Sequence, residues 1–496
     1  MREEVFRMER VTRTEHGIVK LEDFQLQIYK GEILGLIPIN AHGLRSFLEL
    51  LQTNLPIDRG YIYYGNELIN SWKESRKKNN RITVIKAQSS LVEGLTVADN
   101  IFVLRQGFRQ SIVRTSLLRK QLMPFLKDIE MDISPDSYVE KLSVFERVVV
   151  EILRAVILGH QLIVLNEVST LISEDEMYKL HKIILRYAQR GISFLYISPH
   201  FEEIAMICDR AALLSHGRIQ KIIRGEEMSL DSLSGYIREY DGLVRKHLKE
   251  ENKKNGFREL VLSMRGVSFG ALSRLDIDVY AGECVVLQSL DQDIFHDFIR
   301  LLTDVGIPEE GFISMNGKSA EIMGNNSIAV VQEYATTSMI FQEMDYLSNL
   351  CMGLARRVPD IWRKHGIRES IMKEYGPVLG EDVFCMSIDE LSQYQKYQLV
   401  YTRILLQHPK VVFCIQPFIG ADLPHRMYVW KLLEMLMKKG IAVVILTMNL
   451  SDSISLAERL LRIGREGITE EIPRKDFGTL TNDVPWKYLY EEHNRE

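Results

Sequence analysis

Cysteine is scarce and scattered: Cys208, Cys284, Cys351, Cys385 and Cys414 are five in 496 residues, with no paired spacing of a metal site or disulfide framework. No apolar run approaches the ~18 uncharged residues that cross a bilayer. The opening Met-Arg-Glu-Glu-Val-Phe-Arg lacks the apolar stretch of a secretory signal. A basic surplus is missing too, since 62 Lys and Arg face 67 Asp and Glu for a net charge of −5. Polyanion binders carry the opposite bias, so nucleic acid is not an expected partner. A reducing, cytoplasmic setting follows from these absences as the expectation. With 46% hydrophobic and 26% charged residues, the chain has an ordinary globular composition and is not disordered. Its length allows about two to four domains.

What is there is a repeat. Lys30-Gly31-Glu32-Ile33 returns as Ala281-Gly282-Glu283-Cys284, and Asp58-Arg59-Gly60-Tyr61-Ile62 as Glu309-Glu310-Gly311-Phe312-Ile313, both 251 residues on. Leu142-Ser143 returns as Leu391-Ser392 and Asp209-Arg210 as Glu458-Arg459, both 249 residues on. Four matches in one order predict two copies of one unit, 1–244 and 259–496, joined by a charged linker at 245–258. Within each copy short apolar runs alternate with helical patterns. Gly31–Ile37, Gln161–Leu165 and Ile192–Ile197 read as buried strands, as do Glu283–Leu287, Lys410–Ile415 and Ile441–Thr447. Leu44–Leu51, Phe145–Ile157 and Glu174–Arg190 read as helices. The pattern is α/β with a largely parallel sheet, whose ligands bind at strand C-termini.

The order of segments resembles the ATP-binding subunits of bacterial ABC importers, most closely the fused two-cassette kind serving monosaccharide permeases. Gln88 with Leu95-Thr96-Val97-Ala98-Asp99-Asn100-Ile101-Phe102 resembles the glutamine loop and its continuation. Leu142-Ser143, running to Arg154-Ala155, and Leu391-Ser392-Gln-Tyr-Gln resemble signature helices. Tyr196-Ile-Ser-Pro-His-Phe-Glu-Glu-Ile204 resembles the switch loop. The resemblance implies two tandem P-loop NTPase-like cores, each with a helical subdomain, and ATP with Mg²⁺ as cofactor if any nucleotide binds. It also implies an integral-membrane permease or sensor as partner and a place at the inner face of the membrane. Between glutamine loop and signature, 104–138 and 353–380 would receive that partner, through Phe108, Ile112, Val113, Arg114, Trp362, Arg363, Ile367 and Arg368.

The chemical residues depart from the resemblance. A phosphate loop needs glycine backbone, a Lys for the phosphates and a hydroxyl for Mg²⁺. Here the stretch is Pro38-Ile39-Asn40-Ala41-His42-Gly43-Leu44-Arg45-Ser46, with Leu44 at the lysine position. Gly43 and Ser46 remain, and Arg45 is read as a solvent-facing arginine before it is read as a substitute cation. In the second copy Ser289–Asp297 has no glycine, Phe295 replaces the lysine, and Asp291, Asp293 and Asp297 are expected to oppose a polyphosphate. The acidic strand end is Asn166-Glu167 in the first copy, with Glu167 at the general-base position, and Ile415-Gln416 in the second. Pro199 stands at the switch histidine, and His200, one place later, is expected at the surface. Ser143 and Ser392 keep the signature serines, whose role without glycines is expected to shrink to helix capping. Ser46 and Gln88 are the remnants of a Mg²⁺ site. Each site in such pairs combines the phosphate loop of one cassette with the signature of the other, and here no pairing is intact. Little or no hydrolysis is the expectation.

Overall fold

The computed structural model describes residues 3–73, 80–86, 89–103, 115–225, 228, 258–352, 354 and 366–480. The chain separates into two compact units, Met1–Ile237 and Arg238–Glu496. Of the expected linker at 245–258 only Arg258 lies among the described residues.

The first unit has two sheets. One is four-stranded, in the order β2 (Ile18–Tyr29), β1 (Glu4–Glu15), β4 (Arg59–Tyr64), β5 (Glu67–Ser71). The other is six-stranded, in the order β10 (Arg218–Arg224), β9 (Arg210–Ser215), β3 (Ile33–Pro38), β8 (Ser193–Ile197), β7 (Leu162–Asn166), β6 (Ile82–Lys86). From β9 to β6 the pairings are parallel, and β10 closes the edge antiparallel. β3 and β8 are buried at every position, which is why they read as continuous apolar runs instead of alternating ones. The helices carry their own start signals. Ser143 and Glu146 form a capping box before the helix Val144–Ile157, as Ser173 and Glu176 do before Glu174–Gln189.

The second unit repeats the plan. Its four-stranded sheet runs β12 (Leu272–Tyr280), β11 (Leu260–Phe269), β14 (Glu310–Met315), β15 (Lys318–Ser319). Its six-stranded sheet runs β16 (Ile328–Val331), β17 (Val411–Ile415), β18 (Ala442–Thr447), β13 (Cys284–Ser289), β19 (Arg459–Gly464), β20 (Gly467–Pro473).

The repeated sequence pairs meet in space. Arg210 at the start of β9 is bound by Glu32, just before β3, at 2.5 and 2.9 Å, and both side chains are buried. Arg459 and Glu283 make the same pair at 2.6 and 3.4 Å. Removing either member leaves a buried charge alone, so the pair is retained as a unit. The parallel-sheet pattern did not anticipate the antiparallel sheets. Their long strands carry bulges at the left-handed residues Arg10 (φ 49°) and Asp23 (φ 46°), which interrupt the in–out alternation.

Candidate nucleotide site

In the first unit Gly43 to Ser46 follow β3 and open the helix Leu44–Gln52. Gly43 is left-handed (φ 83°), and a Cβ there would stand 2.3 Å from the Lys20 carbonyl oxygen, so only glycine fits. Leu44 is buried in the core with Phe24, Phe47 and Leu51. Its N–H donates to the Ala41 carbonyl at 3.1 Å, so this amide is turned to its own loop. Arg45 is 93% exposed and its Nε donates to Glu49 Oε1 at 3.0 Å, one turn along the helix. Ser46 is buried, and its Oγ has no hydrogen-bond partner. Asn40 is held away from the loop mouth, donating to Ser215 Oγ at 3.2 Å and accepting from His216 N–H at 3.0 Å.

Asn166 and Glu167 lie at the C-terminal end of β7, with β8 between it and β3, so they stand at the same end of the sheet as the loop that follows β3. Asn166 Oδ1 is buried without a partner. Glu167 adopts φ 52° and its N–H donates to the Ile197 carbonyl at 2.9 Å. Gln416 repeats that backbone, with φ 43° and an N–H donated to Leu446 O at 2.9 Å. The sharp strand end is therefore preserved in both units while its side chains have changed. At the end of β8, Ser198 Oγ donates to Glu203 at 2.9 Å and Tyr196 Oη does so at 3.3 Å, and burial, then the Glu203 charge, pushes the Tyr196 phenol well up. His200 is not at the surface: it stands just before the helix Phe201–Ile207 and is 5% exposed. The turn after Pro199 carries it inward, and its N–H is held by Ser198 Oγ at 3.1 Å.

Both signature serines are N-caps. Ser143 Oγ accepts from Glu146 N–H at 3.1 Å, and Ser392 Oγ from Gln395 N–H at 3.3 Å. Gln88 lies outside the described residues, as do Phe108, Ile112, Val113, Arg114, Trp362 and Arg363. Of the expected partner-facing residues, Ile367 and Arg368 are half-buried, and Arg368 donates to Ser348 Oγ at 2.5 Å.

Just beyond Gln88 the structure shows residues whose roles the sequence reading missed. Asn100 is fully buried and binds the backbone of Val92 from both sides, at 2.8 and 3.1 Å, and the Thr96 carbonyl at 3.1 Å. Asn349, 249 residues on, holds Phe341 at 2.9 Å from both sides and Met344 O at 3.2 Å. Each turn therefore presents an exposed apolar apex, Val92 at 47% and Phe341 at 50%. Their equal offset in the repeat was the available signal.

In the second unit Phe295 is buried with Phe298 and Leu287. Asp291 caps the helix Gln292–Arg300, accepting from Asp293 N–H at 2.9 Å, so a carboxylate already occupies the anion-binding end. Arg465 lies 3.1 Å from Asp291 and 3.9 Å from Asp293. The expectation for Asp297 is corrected: a turn further along the helix, it faces the β11–β12 turn, accepting from Ala271 N–H at 2.8 Å and Arg300 at 3.2 Å.

These residues do not fit Mg²⁺–ATP in either unit. In the first loop Leu44 fills the lysine position and the cation at the helix start, Arg45, turns outward to Glu49, while in the second an acid caps the helix. The strand ends offer Asn166 and Ile415 where Mg²⁺ needs a carboxylate.

A family model described as ABC transporter matches residues 21–170. The ribose import ATP-binding protein RbsA of Caldanaerobacter subterraneus subsp. tengcongensis is 22% identical, over 96% of this chain and 97% of the relative. The xylose import ATP-binding protein XylG of Moorella thermoacetica is 23% identical, over 95% and 96%. The galactose/methyl galactoside import ATP-binding protein MglA of Haemophilus influenzae strain Rd is 21% identical, over 92% and 91%. A solved nucleotide-free ATP-binding cassette from an ABC transporter matches 48% of this chain and 98% of its own, at 18% identity and a TM-score of 0.42.

Proposed function

On a chain that is α/β and built as two ABC-type cassettes in tandem, resembling sugar import ATP-binding proteins, we propose a structural or regulatory subunit of sugar-importer type that hydrolyses little or no ATP. Its partner is an integral-membrane permease or membrane sensor, and its place is the cytoplasmic face of that complex. The cassettes are 1–244 and 259–496, with 245–258 between them. In this reading Gly43, Ser46, Asn166, Ser143 and Ser392 are remnants of a nucleotide site that now serve the fold, Gln88 is the remnant of a metal ligand, and Arg45 is a surface ion-pair partner.

One observation carries the reading. Leu44 and Phe295, at the two lysine positions, are packed into the hydrophobic cores, whereas the turns pinned by Asn100 and Asn349 keep their geometry and their exposed apolar tips. Phosphate chemistry is gone from both units and a protein-facing feature is kept in both. Beside the first turn Leu91, Val139, Val144 and Arg147 line a small cavity of about 170 Å³, a composition suited to an amphipathic segment. The alternative is a working sugar-importer ATPase using non-standard residues such as Arg45 and Glu167, and what favours it is the retained strand-end backbone of Glu167.

Fractionation and capture test the partner. Epitope-tagged protein expressed from its own locus is expected in the membrane fraction and to co-purify with an integral-membrane protein, while Val92→Asp with Phe341→Asp releases it. Wholly cytosolic protein that captures no membrane protein contradicts the reading.

A further inference from the structure

The loop after Gln88 is fastened to the signature-like helix by a carboxylate that no part of the nucleotide site uses. Glu151 lies in the helix Val144–Ile157 and is 1% exposed. Its Oε1 accepts from Ser89 Oγ at 2.6 Å and from Ser90 N–H at 2.8 Å, and its Oε2 accepts from Ser90 Oγ at 3.0 Å. The donors continue outward: Arg154, one turn along the helix, donates to Ser90 Oγ at 2.5 Å and lies 3.8 Å from the carboxylate, and Leu91 N–H donates to Ser89 Oγ at 3.2 Å. Every group facing Glu151 here is a donor, which suits a carboxylate and not an amide.

The second unit provides an internal comparison. At the repeat offset of 249, Ser89, Ser90, Glu151 and Arg154 become Ser338, Met339, Val400 and Arg403. Arg403 still reaches the loop, donating to the Met339 carbonyl at 2.6 Å, but the acid is replaced by buried Val400. Ser338 Oγ turns instead to the carbonyls of Glu333 and Tyr334 at 2.7 and 3.2 Å. The carboxylate clamp of the first unit is therefore replaced in the second by bonds from Arg403 and from Gln393, which donates to Thr336 Oγ1 at 2.8 Å.

We propose that Glu151 is a positioning residue that locks the Ser89–Gly94 turn to the helix Val144–Ile157, making the docking turn of the first unit preformed and independent of nucleotide. The proposal rests on the reading of that turn as partner-facing, but its test needs no partner. Hydrogen exchange is followed on the purified full chain for a peptide spanning residues 86–95, with the strand Leu162–Asn166 as reference. In the wild type, exchange of this peptide is expected to be slow and to change less than twofold on adding millimolar MgATP. Glu151→Gln is expected to speed it at least tenfold with the reference strand unchanged. Ser90→Ala, which removes the Oγ bonds to Glu151 and from Arg154 but keeps the acid and its bonds from Ser89 Oγ and Ser90 N–H, gives a smaller increase and serves if Glu151→Gln does not fold. Free-peptide exchange rates in the wild type, no change in either variant, or protection that appears only with MgATP would each overturn it. Loss of membrane capture with the exchange pattern intact would instead sink the partner reading alone.

Discussion

Leu44 and Arg45 show how a single residue's surroundings decide what reversion can achieve. Lysine at 44 would return a charge to a helix start whose dipole favours phosphate. The site it enters is nevertheless the core face beside Phe24 and Phe47, and the neighbouring amide is already turned to Ala41. Pro38, Ala41 and His42 also remain where glycine-like backbone is needed, at about 1 kcal/mol or more for each non-glycine residue forced to positive φ. Leu44→Lys is therefore expected to lower stability by about 2–4 kcal/mol. It should bind ATP no tighter than ~1 mM, which corresponds to about −4 kcal/mol. The combined reversion Pro38→Gly, Ala41→Gly, Leu44→Lys and Arg45→Ser should give measurable binding in the first unit. Isothermal titration of both variants decides it, and micromolar affinity in the single variant would contradict this account of the loop.

Elements differ in how openly they are written. The parallel strands around β3 and β13 were legible because burial on both faces turns them into uninterrupted apolar runs, and the caps Ser143 and Ser392 because hydroxyls precede amphipathic stretches. The antiparallel sheets were hidden by bulges that break the period of two, and the inward turn of His200 by a tertiary environment with no local signature. Leu44 and Phe295 could be read directly, whereas Glu151 looked like one more charged helical residue until its three donors were seen. The edge between β6 and the helix Val144–Ile157 carries a titration of its own. His160 Nδ1 lies 2.7 Å from Thr83 Oγ1, and burial, then Arg81 and Arg154, hold its pKa below 6.5. The unfolded chain takes up this proton first as pH falls, so the contribution of His160 is fully present above about 6.5 and is lost as pH drops from there towards the lower folded value. Urea midpoints measured from pH 7.5 down to 5.5 should fall more for the wild type than for His160→Gln. Parallel curves would show that His160 titrates alike in both states.

At the scale of the whole molecule, duplication gives each unit the same two sheets, the same Arg–Glu pair and the same pinned turn, so these features answer to the fold and to what touches it. The nucleotide positions have diverged unequally. The first unit keeps Gly43, Ser46 and Glu167, and the second has Phe295 and Gln416 with an aspartate capping its loop helix. If the molecule is a scaffold, the surviving Glu167 is a strand-end residue with no water to activate. Steady-state hydrolysis of MgATP by the purified full-length chain, compared with Glu167→Gln, tests this most directly. The account predicts that both release phosphate at the rate of a buffer control. A turnover of even ~1 s⁻¹, abolished by Glu167→Gln, would contradict it and make the chain a working ATPase.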